Sequence, residues 1–168
     1  VLAVVPFVSL EPRPGLLLIL DGMRDPGNLG TILRSAESAG VGQVLLAPGT
    51  VDLYNPKVVR GAMGAHLRLP VLSHDWPAIS KRASGRVVWL AEAAAETAYD
   101  AVDWTRPAAL IVGSEASGAG QEAEDLTTGR VSIPMAGGAD SLNAAMAATV
   151  ILFEAARQRR ISTLKGPL

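Results

Sequence analysis

The chain has 168 residues, of which 49% are hydrophobic and 18% charged, and its formal net charge is −1. This length and apolar content predict one domain, residues 1–168, with a sizeable core, which excludes an intrinsically disordered protein. No cysteine is present, and His66 and His74 are the only histidines. Disulfide scaffolds and cysteine nucleophiles are therefore excluded, and we expect no metal site. No apolar run approaches the roughly 20 residues that span a bilayer, and the lack of cysteine fits the reducing cytoplasm.

Charge is distributed unevenly along the chain. Residues 1–90 carry nine basic and six acidic side chains, residues 91–140 carry two and nine, and residues 141–168 carry four and one. Twelve of the 15 cations are arginine. Any contact with a polyanion would therefore depend on local arginine patches rather than on bulk charge, although such patches are also typical of ordinary solvated surface.

Short apolar runs bounded by glycine, proline or charge predict buried strands. The predicted strands cover residues 16–20, 44–47, 87–90, 109–112 and 131–133, and residues 1–5 would add an edge strand. The first four runs do not alternate polar and apolar residues, which indicates a sheet covered on both faces. Residues 1–15, which include a proline-rich turn, are interpreted as a linker from an upstream domain.

Helical spacing of apolar residues separates these strands. The predicted helices cover residues 29–39, 56–63, 76–83, 121–126 and 141–160. Asn28 is the expected N-cap of the first helix and Gly40 its stop, and Asp140 or Ser141 would cap the last. Alternation of strands and helices predicts an α/β fold with a parallel sheet flanked by helices.

Two common nucleotide signatures and one hydrolase signature are missing from the sequence. The segment after the first strand, DGMRDPGNLG, does not fit the dinucleotide fingerprint, and no P-loop pattern occurs. Ser114 and Ser117 lack the frame of a nucleophile elbow, and both histidines precede them. A phosphate-loop domain and a serine hydrolase are therefore not predicted.

Three segments at or just after strand ends carry unusual polar residues, and open α/β sheets bind ligands there. Residues 25–40 hold Asn28 and Arg34, residues 110–120 place Glu115 in a glycine-rich loop, and residues 133–145 hold Ser141 and Asn143. A carboxylate does not suit a bare phosphate, so the second segment favours a nucleoside-like or cationic ligand. Each segment alone also fits a simpler interpretation, namely a capped helix, a plain loop or a capping motif.

Together and in this order, the segments resemble the three motifs of the SPOUT superfamily of RNA methyltransferases, in its SpoU (TrmH-like) branch. The resemblance extends from about Leu16 to Arg160, and Ala116 departs from it where many relatives carry glycine. The matching residues are Asn28, Gly30 and Arg34 in the first segment, Gly113, Ser114 and Glu115 in the second, and Ile133, Pro134, Met135, Ser141, Leu142 and Asn143 in the third.

The resemblance implies a homodimeric enzyme that transfers a methyl group from S-adenosylmethionine to a ribose 2′-hydroxyl of RNA. Its sheet would end in a deep trefoil knot, and the sequence FEAARQR near the end favours rRNA over tRNA. Relatives that act on rRNA often carry a small N-terminal RNA-binding domain, to which residues 1–15 would be the linker. No metal is needed, because the sulfonium supplies the leaving group. By position, the implied cofactor-binding residues are Leu90, Gly113, Ile133, Met135, Ser141 and Leu142, and the implied catalytic residues are Asn28, Arg34, Glu115, Ser141 and Asn143.

Arg34 resembles the residue assigned as catalytic in this family. An arginine side chain stays protonated and is a poor general base, so we expect Arg34 to orient the RNA phosphate or to stabilise the developing alkoxide. Glu115 is expected to position Arg34 or Asn28. RNA contacts are expected from Arg24, Arg34, Arg60 and the arginines of residues 157–160. The alternatives are a SPOUT base methyltransferase and a non-catalytic RNA- or nucleotide-binding module.

Overall fold

A single six-stranded sheet forms the centre of the computed structural model, which describes residues 9–115, 118–138 and 141–165. The strand order is β3-β2-β1-β5-β4-β6, and every paired strand runs parallel to its neighbour. The strands are β1 Leu17–Leu20, β2 Gln43–Leu46, β3 Val71–Ser73, β4 Val87–Ala91, β5 Ala108–Val112 and β6 Gly129–Val131.

Five α-helices cover the two faces of this sheet. They are α1 Pro26–Ser38, α2 Pro56–Ala62, α3 Trp76–Ala83, α4 Gln121–Leu126 and α5 Ala144–Lys165, with short 3-10 turns at Ala65–Leu67 and Tyr99–Ala101. None of the described helices is long and apolar enough to cross a membrane.

Alternate residues of the central strands supply two separate hydrophobic cores. Leu18 and Leu20 of β1 pack on the face that α1 and α5 cover, whereas Leu17 and Ile19 pack on the face of α3 and α4. Because side chains alternate across a strand, an apolar run without polar interruptions fills both cores at once. The expected double-sided sheet is therefore confirmed.

The sequence-based strands agree with the structure except in three places. The three-residue strand β3 was missed, because its half-buried VLS sequence is too short to show a period. The last strand lies two residues earlier than predicted, and Ser132 makes only an isolated bridge to Ala98. Strand β4 was expected to be buried on both faces, but only its alternate residues Val88 and Leu90 are fully buried. The expected edge strand over residues 1–5 lies outside the described residues, and the trefoil knot stays a prediction.

Helix ends differ from the expected caps. Asp25, not Asn28, caps α1, with its Oδ1 accepting a hydrogen bond from the Asn28 backbone N–H at 2.7 Å. Asn143, rather than Ser141, caps α5, because its Oδ1 accepts hydrogen bonds from the backbone N–H groups of Ala145 and Met146 at 2.9 and 3.3 Å. Asp140 lies outside the described residues. Gly40, at φ 70, follows the end of α1 as predicted.

Residues 13–15 pack against the domain. The Arg13 backbone N–H donates to the Gly42 carbonyl at 3.1 Å, and a Cβ added to Gly42 would lie 2.3 Å from the Arg13 carbonyl oxygen. This close approach explains the glycine at position 42. The expectation of a linker before the domain stays a prediction.

Candidate active site

A cleft of about 620 Å³ opens at the carboxyl edge of the sheet. Its wall combines the ends of β4, β5 and β6 with the start of α5. This is the edge where open parallel sheets bind ligands. All six residues expected to bind a cofactor line it, namely Leu90, Gly113, Ile133, Met135, Ser141 and Leu142.

The glycine-rich loop after β5 is held tightly against itself. Ser114 and Gly118 exchange two backbone hydrogen bonds of 2.9 Å, and Gly118 has a φ of 69. A Cβ added to Gly113 would lie 2.6 Å from the Gly118 carbonyl carbon and 2.7 Å from the Ala119 nitrogen. Position 113 therefore has no room for a side chain.

A buried carboxylate joins this loop to the end of β1. The Gly120 backbone N–H donates to Asp21 Oδ2 at 2.6 Å, and Asp21 is only 7% exposed. Sequence reasoning missed this residue. The signal was an aspartate placed directly after a buried strand, at the edge where the predicted ligand loops meet.

Glu115 connects all three polar segments. Its Oε1 accepts hydrogen bonds from Asn28 Nδ2 and Asn143 Nδ2, each at 2.7 Å, and from the Ala144 backbone N–H at 3.2 Å. Asn143 Nδ2 also approaches Asn28 Oδ1 at 3.2 Å. The carboxylate thus lies at the N-terminus of α5, where free N–H groups favour negative charge. Residues 28, 115 and 143, far apart in the sequence, form one network.

Arg34 and Ser141 stay outside this network. Arg34 is exposed on α1 and makes no hydrogen bond or ion pair with the residues that the structure describes. Of the two expected partners of Glu115, the structure therefore provides Asn28 and not Arg34. Ser141 is exposed at the cleft wall and has no hydrogen-bond partner within the described ranges.

The cleft wall is acidic. Glu92, Glu115 and Glu124 line it, and no lysine or arginine is among its described lining residues. Behind the wall, Arg130 Nε pairs with Glu92 Oε2 at 2.8 Å, and the Arg130 Nη2 pairs with Glu124. The sequence analysis did not single out Glu92, Glu124 and Arg130, because they are separated by up to 38 positions and come together only in the folded chain. One arginine does not neutralise three glutamates, so the cleft keeps a net negative charge, which suits a cationic ligand better than a phosphate.

Unpaired arginines lie just before α1, on α1 and on α2. Arg24, Arg34 and Arg60 are exposed, and none makes an ion pair with a described carboxylate. The two helices pack closely, because a Cβ on Gly30 would lie 2.9 Å from the Gly61 Cα. Two of the arginines expected to contact RNA, Arg34 and Arg60, therefore lie on helices that contact each other.

The histidines lie away from the cleft wall. Burial, and then the nearby Arg68 charge, lower the pKa of His66, whose ring makes an edge contact with Tyr54 at 6.3 Å. Within the described ranges, no three histidine or acidic side chains are placed to hold a metal ion.

The fold and site define a class, an α/β protein with an acidic ligand cleft at the carboxyl edge of a parallel sheet, closed by a glycine loop and a helix N-terminus. Residues 15–153 match the family model described as the SpoU rRNA Methylase family, and the chain belongs to that family. The expected SpoU membership is therefore confirmed.

Relatives of known name support this assignment. The human "rRNA methyltransferase 3, mitochondrial" is 38% identical over 210 residues, covering 92% of this chain and 50% of that protein. A Streptomyces viridochromogenes "23S rRNA (uridine(2479)-2'-O)-methyltransferase" is 38% identical over 151 residues, covering 84% of this chain and 52% of that one. The chain therefore spans about half the length of the curated relatives it matches.

A solved structure agrees in three dimensions. The SpoU methyltransferase AviRb from Streptomyces viridochromogenes, in complex with the cofactor AdoMet, superposes with a TM-score of 0.77 at 35% identity. The match covers 91% of this chain and 63% of that one. The parallel-sheet fold expected from the resemblance is thus confirmed.

Proposed function

We propose that the chain transfers a methyl group from S-adenosylmethionine to a ribose 2′-hydroxyl of RNA, with rRNA as its substrate. The observation that carries the proposal is the Asn28–Glu115–Asn143 network, which holds the three family motifs together beside the acidic cleft. The names of the relatives support both the reaction and rRNA as the substrate.

The residues of the cleft fit S-adenosylmethionine. The wall is acidic, which suits a sulfonium cation, and the cleft volume lies in the range of small-molecule sites. Among the described residues, the backbone N–H groups of Ile133, Met135 and Leu142 donate no hydrogen bond and remain available to an adenine edge. These three residues, with Leu90, Gly113 and Ser141, would hold the cofactor, which supplies an electrophilic methyl group when bound.

The polar network positions the substrate side of the reaction. Glu115 fixes the Asn28 and Asn143 amides through charge-assisted bonds, which are stronger than neutral ones. A fixed network keeps the hydroxyl and the methyl group in line, and alignment supplies a large part of the rate gain in such transfers. Glu115 acts in this proposal as a positioning residue and not as the base.

Arg34 supplies positive charge to the reacting ribose. Its guanidinium has no partner within the described residues, so its donors are free for an anionic oxygen. That oxygen belongs to the neighbouring phosphate or is the alkoxide that develops as the hydroxyl loses its proton to solvent water and takes the methyl group from the sulfonium. Either use depends on the planar fork of arginine, which lysine does not reproduce.

The active form is proposed to be a homodimer. Met146 and Phe153 are 59% and 47% exposed and lie seven residues apart on one side of α5. That helix packs on α1, where Ser35 Oγ meets Thr149 Oγ1 at 2.7 Å. A second copy covering this face would bring a second Arg34 near the network. Light scattering should give twice the mass of one chain, and the mass of one chain would contradict the dimer.

Cytoplasm is the proposed location, since a chain without cysteine fits a reducing compartment. The vertebrate relatives carry a mitochondrial location in their names. Fractionation of the source cells with an antibody to the chain tests this part, and a mitochondrial signal would contradict it.

The function is tested by methyl transfer. The chain is incubated with methyl-labelled S-adenosylmethionine and either unmodified rRNA or pooled tRNA, and the labelled nucleosides are then identified. The proposal predicts a 2′-O-methylated nucleoside from rRNA. Label in a base would indicate a base methyltransferase, and bound cofactor without transfer to either RNA would indicate a binding module.

A further inference from the structure

A second cleft, of about 570 Å³, lies at the amino edge of the same sheet. Its wall includes Gly15 ahead of β1, Arg86 directly before β4 and Pro107 directly before β5. It therefore lies at the opposite end of the strands from the candidate active site. The motifs that identify the family do not contribute to it.

Four arginines converge on this cleft, and its described lining contains no carboxylate. They are Arg82, Arg86, Arg106 and Arg159. None of the four makes an ion pair with a described residue. The one carboxylate tied to the cluster is Asp103, whose pKa is lowered mainly by hydrogen bonds from Thr105 and only weakly by the Arg106 charge. The cluster therefore keeps its positive charge.

Two of these guanidiniums are held in place by backbone carbonyls. Arg86 Nη1 donates to the Gly15 carbonyl at 3.2 Å, and Arg159 Nε donates to the Trp104 carbonyl at 2.8 Å. Both residues are half-buried, and burial together with the charge of Arg86 lowers the pKa of Arg159. Like charges fixed side by side are unfavourable alone, so a bound anion would stabilise the arrangement.

We propose that this arginine cleft binds phosphate groups of the RNA backbone, as a second contact remote from the reacting ribose. Arginine forks match phosphate oxygens in pairs, which favours phosphate over a monovalent inorganic anion. The choice of RNA as the source of the phosphates rests on the proposed function.

Helix α5 links the two sites. It begins at the Glu115 network and carries Arg159 into the arginine cleft, so the sites are about 22 Å apart along the helix axis. An RNA segment that reaches both must therefore pass along the surface between the two edges. The second contact would supply affinity without reading sequence, because phosphate contacts carry no base information.

The test substitutes the two exposed arginines, which make no backbone contacts that the structure describes. The variant Arg82→Gln/Arg106→Gln is compared with Lys81→Gln/Arg68→Gln, which removes two exposed cations that do not line the cleft. Affinity for a short fluorescein-labelled single-stranded RNA is measured by anisotropy over roughly 50–200 mM KCl. Thermal unfolding checks that both variants fold.

Loss of two phosphate contacts should reduce the slope of log K against log salt by about 1.4 and weaken binding roughly tenfold near physiological salt. The control variant should keep the parent slope. Equal losses in both variants would overturn the proposal, because they would indicate diffuse charge. An unchanged slope in the cleft variant would also overturn it.

Failure of the arginine-cleft proposal can be distinguished from failure of the proposed methyl transfer. If the parent chain methylates RNA and the cleft variant binds RNA as the parent does, the arginine cleft is refuted and the methyl transfer stands. If the parent transfers no methyl group but the cleft variant still loses RNA affinity selectively, the cleft stands and the enzyme assignment fails.

Discussion

The two edges of the sheet are opposite in charge. At the carboxyl edge, three glutamates and no described cation line the cleft, whereas at the amino edge four arginines and no described carboxylate do. The ends of β4 and β5 line the first cleft, and Arg86 and Pro107, directly before the same two strands, line the second. The sheet thus separates a site suited to a small cationic cofactor from a site suited to a polyanion, so the two ligands do not compete for the same charges.

The edges also differ in how their polar groups are held. At the carboxyl edge one oxygen of Glu115 connects three distant segments of the chain. At the amino edge each fixed guanidinium bonds separately to a carbonyl, as Arg86 does to Gly15. A substitution at Glu115 should therefore disturb several elements together, whereas one at the amino edge should act locally.

Replacing Arg34 should have the largest effect on catalysis. We expect Arg34→Ala to lower the rate of methyl transfer by about 10²–10³-fold, the effect of losing one donor to a developing oxyanion. Cofactor affinity, measured by calorimetry, should stay at the parent value because Arg34 does not line the cleft. Arg34→Lys should recover only part of the rate. Full activity of the lysine variant would refute the need for a planar fork.

Glu115→Gln should have the next largest effect, because it removes the charge that all three donors share. Charge-assisted hydrogen bonds contribute about 1.5–3 kcal/mol each, so the methyl-transfer rate should fall about 10–100-fold. The matched control is Glu122→Gln, an exposed glutamate of α4 outside the cleft. Equal rates for the two variants in a single-turnover assay would show that the network does not position the reacting groups.

Gly113→Ala tests the glycine loop. The added Cβ would lie 2.6 Å from backbone of the same loop, so the loop must shift, at a cost of about 1–3 kcal/mol in unfolding free energy. Cofactor affinity should fall about tenfold. Gly137→Ala is the control, since its Cβ would meet no atom within 4 Å. If Gly113→Ala bound the cofactor as tightly as the parent chain does, the cofactor site would not include the glycine loop.

The smallest effect concerns Glu154, on α5 between the two edges. The hydrogen bond from Arg157 holds the pKa of Glu154 below its ordinary value of 4.5. Its ionised form therefore stabilises the fold above pH 4.5, and this contribution is lost as the pH falls through the lower folded value. Glu154→Gln should lower the unfolding free energy by about 1 kcal/mol at neutral pH.

Urea unfolding measures this difference, which should shrink as the pH falls below 4.5 and vanish once the pH lies below the lowered pKa of folded Glu154. The control is Glu96→Gln, at an exposed glutamate with no described partner. A difference that persists unchanged in acid would show that packing, not the ion pair, stabilises this part of α5.

The sequence predicted the sheet well because its strands are continuous apolar runs, as in residues 16–20. It predicted the cleft wall because the motifs follow strand ends, so the parallel topology brings them together. It placed Asn28 at the N-cap, although Asp25 three residues earlier caps α1 and frees the Asn28 side chain for Glu115. Which of two nearby residues caps a helix depends on the conformation of the loop before it, and the spacing of apolar residues carries no information about that conformation.

The sequence predicted an RNA contact for the arginines of residues 157–160, which include Arg159, but it did not predict the arginine cleft. Arg82 and Arg86 lie on either side of the end of α3, Arg106 precedes β5, and Arg159 lies 53 residues further along. Only the order of strands brings these positions to one edge. Long-range charge clusters of this kind have no local signature, whereas the ligand loops carry glycines and polar residues within a few positions of each other.

The separation of the two edges is tested most directly by measuring both ligands in two variants. S-adenosylmethionine affinity by calorimetry and RNA affinity by anisotropy are compared in Gly113→Ala and in Arg82→Gln/Arg106→Gln. The account predicts that the first variant loses about tenfold in cofactor affinity with RNA affinity unchanged, and the second loses about tenfold in RNA affinity with cofactor affinity unchanged. Loss of both affinities to the same extent in either variant would contradict it.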